Sequence, residues 1–97
     1  MFQATTEQIE EWKAKHGQIF RIKVGEHSCY LRKPDRKTVS YATTAGKADP
    51  LKGTEVLLKG MWLDGDTEIQ TEPGELIGAG QKLDAIIDIK EAELEKL

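Results

Sequence analysis

Apolar and polar positions recur along this chain with helical and strand periods, and together they predict six elements. Thr5 followed by Gln8 forms a capping-box pattern, in which each side chain satisfies the other's free backbone N–H. A short helix is expected from there to about Lys15, with Ile9, Trp12 and His16 on one face and Gly17 as its stop. Phe20, Ile22 and Val24 then alternate with Arg21 and Lys23, the period-2 signature of a half-buried strand. Gly25-Glu26-His27-Ser28 reads as a hairpin turn, and Cys29-Tyr30-Leu31-Arg32 as the return strand, ended by Pro34.

The rhythm then becomes helical. Asp35 is placed to cap a helix carrying Val39, Ala42 and Ala45 that closes at Gly46. Asp49-Pro50 is the clearest start in the chain: a capping carboxylate, then a proline whose missing N–H costs nothing in the first turn. Leu51, Val56, Leu57, Leu58, Met61 and Trp62 give this third helix a broad apolar face, while Gly53 and Gly60 weaken it by about 1 kcal/mol each. Asp64-Gly65-Asp66 is expected to be a turn with a left-handed glycine, and Ile69 to lie in a short extended link. Thr71, Glu72 and Pro73 open a last helix with Leu76, Leu83, Ile87, Leu94 and Leu97 along one stripe. Gly78-Ala79-Gly80 would kink it or admit a close neighbour, and Ile86-Ile87-Asp88-Ile89 fits a strand as well as a helix. The expected order is α-β-β-α-α-α: one α+β domain over 1–97, an antiparallel hairpin packed on helices with a long C-terminal helix.

Composition narrows the function classes. At 97 residues with 38% hydrophobic content and a mean hydropathy of -0.52, the chain supports one modest core. Its net stability is expected to be about 5 kcal/mol, with little room for a deep substrate cavity. Fourteen basic against 17 acidic side chains give a net charge of -3, which disfavours a general nucleic-acid binder. A single cysteine, Cys29, excludes an internal disulfide framework. No stretch resembles a signal peptide or approaches the length of a membrane span, so a cytoplasmic protein with no membrane partner is expected.

Catalytic machinery is not legible. His27 and Cys29 lie two apart, but the further ligands that zinc needs are missing, and no third group orients them as a nucleophilic pair. A buried thiol beside an exposed turn histidine is the simpler expectation. Asp64 and Asp66 flank a glycine without the later acidic ligands of a calcium loop, and Gly74, Gly78 and Gly80 form no phosphate-binding pattern. The expectation is a non-enzyme with no metal and no cofactor.

Two surfaces remain as candidate partner sites. Arg32, Lys33, Arg36 and Lys37 concentrate positive charge at a strand-to-helix corner, which is either a dock for phosphate or an acidic partner, or a solvated corner. Leu83, Ile87, Leu94 and Leu97 form the terminal stripe, with Lys90, Glu93 and Lys96 on its polar side. That stripe must pack on the chain's own core or on a partner helix; its distal part is expected to meet a second copy or a helical client.

The segment Tyr30-Leu31-Arg32-Lys33-Pro34-Asp35-Arg36-Lys37, then Asp49-Pro50-Leu51, then Trp62-Leu63-Asp64-Gly65-Asp66-Thr67-Glu68-Ile69, and the acidic-apolar terminal helix together resemble small tail proteins of tailed phages and prophages, described as tail assembly chaperones. The resemblance covers about two-thirds of the chain, from residue 30 onward, and leaves the amino-terminal helix without a counterpart. It implies a non-enzymatic protein of the host-cell cytoplasm that binds apolar helical segments of the tape-measure protein, or another tail protein, during tail assembly. The client would sit in grooves formed by the hairpin, the Asp49 helix and the terminal helix. From a different class, a small nucleic-acid-binding or regulatory module using the Arg32–Lys37 corner is the alternative.

Overall fold

In the computed structural model, which describes residues 1–97, the chain forms a small α+β domain. The elements are α1 (Thr6–His16), β1 (Ile19–Val24), β2 (His27–Arg32), α2 (Arg36–Ala48), α3 (Pro50–Met61), β3 (Trp62–Gly65), α4 (Glu68–Thr71) and α5 (Pro73–Ile87). The expected order holds, with two short elements, β3 and α4, inserted between the third helix and the last.

Local chemistry sets the helix starts. Thr5 and Gln8 form the capping box of α1, Asp35 accepts the N–H of Thr38 at the head of α2, and Asp49 accepts those of Leu51 and Lys52 at the head of α3. Glu72 accepts the N–H of Glu75 at the start of α5, just before Pro73. In each case a side-chain oxygen satisfies a donor that has no partner inside the helix.

The sheet is antiparallel in the order β1-β2-β3. The hairpin turn is tighter than the sequence suggested: Val24 pairs with His27, leaving Gly25-Glu26 as the two-residue loop. His27 and Ser28 therefore belong to the strand. Trp62 begins β3 rather than ending α3, and Leu63 is the extra residue at an irregularity opposite Tyr30 and Leu31. Gly65 is in a strand and not in a left-handed turn. It is a glycine for two reasons: its φ of 156° is one that L side chains rarely adopt, and a Cβ there would lie 2.6 Å from the Cα of Cys29.

Ile22, Cys29 and Leu31 on the inner sheet face meet Leu58 and Met61 of α3, Ile69 of α4, and Leu76, Ala79, Leu83 and Ile86 of α5 in one apolar cluster. Each large side chain in it contributes about 1.5–3 kcal/mol by leaving water. Ile69 is fully buried at the centre of a one-turn helix, which corrects the extended link. The outer sheet face is covered by the amino-terminal segment and α1. There Tyr30 meets Phe2 edge-on at 6.0 Å and Trp12 at 5.6 Å.

Alpha5 is the longest helix, and it stops at Ile87, where Asp88 takes a left-handed conformation (φ 60). Residues 88–97 form no helix, so the stripe does not continue to Leu97 as expected, and Gly78-Ala79-Gly80 produces no break. Residues 86–87 are helical, which resolves the ambiguity there. No helix is long and apolar enough to cross a membrane.

Candidate partner-binding grooves

The helical half of the molecule is built on close approaches. Alpha2 packs chiefly on α3, and their axes come so near that a Cβ on Gly53 would sit 2.6 Å from the Cα of Gly46 and 2.8 Å from the carbonyl oxygen of Ala42. On the other flank, a Cβ on Gly80 of α5 would fall 2.6 Å from the methyl group of Thr54. With α3 sunk between its neighbours, α2 and α5 stand as two walls over it. The groove they enclose has a volume of about 280 Å³ and is lined by Val39, Ala42, Leu57, Leu83 and Ile87 among others. It shares Pro50, Thr54 and Gly80 with a shallower depression of about 420 Å³ beside Leu51 and Ile77, both exposed, so the two form one trough along α5. From Ile77 to Ile87 that trough follows about 15 Å of helix.

A second groove, of about 330 Å³, lies between β1 and the last turns of α5. Phe20, Ile22, Ala85 and Ile86 form its apolar lining, and Arg21, Lys23 and Lys82 are its charged ones.

The four stripe residues named from sequence do not share one surface. Leu83 is in the core, 1% exposed, and is available to no partner except through its edge on the groove wall. Ile87 is half-buried at the end of the same groove. Leu94 and Leu97 are fully exposed, at 99% and 106%, and project beyond the last helix. The expected single helical face is thus corrected: Asp88 breaks it between Ile87 and Leu94.

The basic corner is also divided. The Arg32 guanidinium is half-buried and donates to the Gly60 carbonyl at 3.2 Å, where it faces the negative end of α3. Lys33, Arg36 and Lys37 are exposed, and the Lys37 ammonium lies 5.8 Å from the centre of the Tyr41 ring. Asp35 stands among them, its carboxyl held low by the Thr38 backbone N–H and, to a lesser extent, by Arg32 and Lys37.

A polar hub that sequence reasoning missed ties the opposite end together. His27 is not an exposed turn residue: it is half-buried on β2, with Nδ1 2.5 Å from the Glu75 carboxylate and Nε2 3.9 Å from that of Glu68. The Glu75 hydrogen bond raises the His27 pKa above its ordinary value. Next to it, the Asp66 carboxylate accepts the N–H groups of Phe2 at 2.8 Å and Ser28 at 2.9 Å, and these bonds, Phe2 first, hold its pKa down. The buried Ser28 hydroxyl donates to the Phe2 carbonyl. The hub is a fastening for the amino-terminal segment. Cys29 is fully buried behind it, and burial pushes its thiol pKa up to about 11, leaving too little thiolate for nucleophilic work at neutral pH. No three His, Cys, Asp or Glu side chains converge as a set of metal ligands.

A scan against protein-family models found no match, and searches of curated proteins and of solved structures found none either.

Proposed function

We propose that this protein is a non-enzymatic binding protein that receives an apolar helical segment of another protein in the trough between α2 and α5. The trough is the observation that carries this reading. Its aliphatic walls offer the i, i+3, i+4 surface that an amphipathic helix covers. The resemblance to phage tail assembly chaperones supplies the physiological setting: the client is a helical stretch of a tape-measure or related tail protein, shielded until the tail forms. The basic corner has less support as a binding site, because Arg32 is already committed to Gly60.

Titration with labelled synthetic helices from a tape-measure protein, followed by fluorescence anisotropy, tests the reading. Wild type should bind an amphipathic apolar helix, and Val39→Glu, which puts a charge on the α2 wall without touching the central cluster, should abolish binding at unchanged melting temperature. No binding by wild type, or equal binding by the folded variant, refutes the assignment.

A further inference from the structure

The β1 edge of the sheet carries a second, different docking surface. Val24 and His27 flank a two-residue turn, which makes them a hydrogen-bonded pair. Counting back along β1, the backbone N–H and C=O groups of Arg21 and Lys23 point away from β2, toward the open side of the sheet. No other element pairs with this edge. Its side chains are sorted by face: Ile22, paired with Cys29, lies on the inner face above the groove with Ala85 and Ile86, while Arg21 and Lys23 lie on the outer face. Lys82 adds a third cation to the same groove.

Residues 91–95 have the complementary pattern. Glu91-Ala92-Glu93-Leu94-Glu95 is a strict polar–apolar alternation, with three carboxylates on one side and Ala92 and Leu94 on the other. A helix would stack Glu91 on Glu95 at i, i+4, which is repulsive, and these residues are not helical here. The segment makes no use of its apolar groups: Ile89 is 68% exposed and Leu94 99%.

We infer that residues 91–95 of a second copy add to β1 as an extended strand. In that pairing Ala92 and Leu94 cover the groove beside Ile22, and Glu91, Glu93 and Glu95 stand across from Arg21 and Lys23 as cross-strand ion pairs. Charges on an edge strand ordinarily deter pairing. Two cations there repel a basic or neutral strand and select an acidic one. Each copy offers both an edge and a tail, so an exchange about a two-fold axis satisfies both and closes as a symmetric dimer. This inference is independent of the trough, which lies on the opposite side of α5's buried face and is left open.

Sedimentation-equilibrium measurements over a concentration series test it. Wild type should dimerise reversibly, and the association should weaken as salt rises. The pair Arg21→Glu, Lys23→Glu should be monomeric, as should Glu93→Lys, Glu95→Lys, each keeping the wild-type circular dichroism and melting profile. Combining all four changes in one chain should restore the dimer, which a general effect on folding or solubility would not do. Glu93→Pro, which removes a strand donor without adding charge, should also dissociate it. A wild-type monomer at every concentration, or a combined variant no better than its parents, overturns the inference.

Discussion

Gly53→Ala and Gly46→Ala are the same chemical change at two ends of one helix contact, and the structure gives them opposite signs. Both replace a helical glycine by alanine, which by propensity alone stabilises by about 0.5–1 kcal/mol. At Gly46 the added methyl meets only the Cα of Gly53 at 3.6 Å, an ordinary contact. At Gly53 it meets three backbone atoms, the Cα of Gly46 at 2.6 Å, the carbonyl oxygen of Ala42 at 2.8 Å and the nitrogen of Gly46 at 2.9 Å. None of these can rotate aside, so the helices must part by about 1 Å to restore a normal separation. Overpacking of that kind costs about 1–3 kcal/mol, which exceeds the propensity gain and leaves a net loss of about 1–2 kcal/mol. Thermal melts followed by far-ultraviolet circular dichroism should show Gly46→Ala a few degrees above wild type and Gly53→Ala about 5–15 °C below it. If Gly53→Ala matches or exceeds Gly46→Ala, the α2–α3 approach is wrong, and the trough it creates is wrong with it.

Two further outcomes follow from the polar hub and the core. His27, whose pKa is raised by Glu75, binds a proton more tightly in the native than in the unfolded chain. Its stabilisation is therefore complete below the unfolded pKa near 6.5 and is lost as pH rises through the higher native value, so the melting-temperature difference between wild type and His27→Gln should shrink from pH 5.5 to pH 8.5. A native His27 pKa at or below 6.5, read by NMR titration, contradicts this. Cys29, fully buried with its pKa near 11, should resist a disulfide reagent at pH 8 in the native protein and react at once in denaturant; fast native labelling would show the site to be open.

What sequence revealed and concealed divides by range. Features decided within three or four residues were legible: the Thr5–Gln8 box, the Asp35 and Asp49 caps, and the Phe20–Ile22–Val24 alternation all appear as expected. Beta3 was not, because Trp62-Leu63-Asp64-Gly65 is a strand only by virtue of β2, some thirty residues earlier, and an irregularity at Leu63 spoils its alternation. Ile69 looked like a link because a single turn of helix has no period to read. The terminal stripe misled for a different reason. Between Ile87 and Leu94 it skips about two turns without an apolar residue on that face, so nothing tertiary holds the helix together there, and Asp88 ends it. Of the trough's glycines, Gly53 was visible as a helix weakener and Gly46 as a helix end. Gly78-Ala79-Gly80 was legible as a place for a close neighbour, which Gly80 meets in Thr54; that Gly53 faces Gly46 depended on how α2 and α3 cross.

Alpha1 buries none of its residues, and Tyr30 gathers much of what fastens the outer layer. That ring touches Phe2 and Trp12, its hydroxyl accepts the Ala4 N–H at 3.3 Å, and the Arg21 guanidinium lies 5.8 Å from its centre. The outer layer is thus a separate unit of opening. It can lift away while the inner cluster stays packed, since no side chain of α1 belongs to that cluster. Amide hydrogens of α1 should therefore exchange through a local event well below the global unfolding free energy, while those of α3 and α5 wait for the whole domain. In the opened form the Tyr30 ring becomes accessible beside the already exposed Arg21 and Lys23, and the fold keeps its helical trough while changing what its sheet presents to solvent.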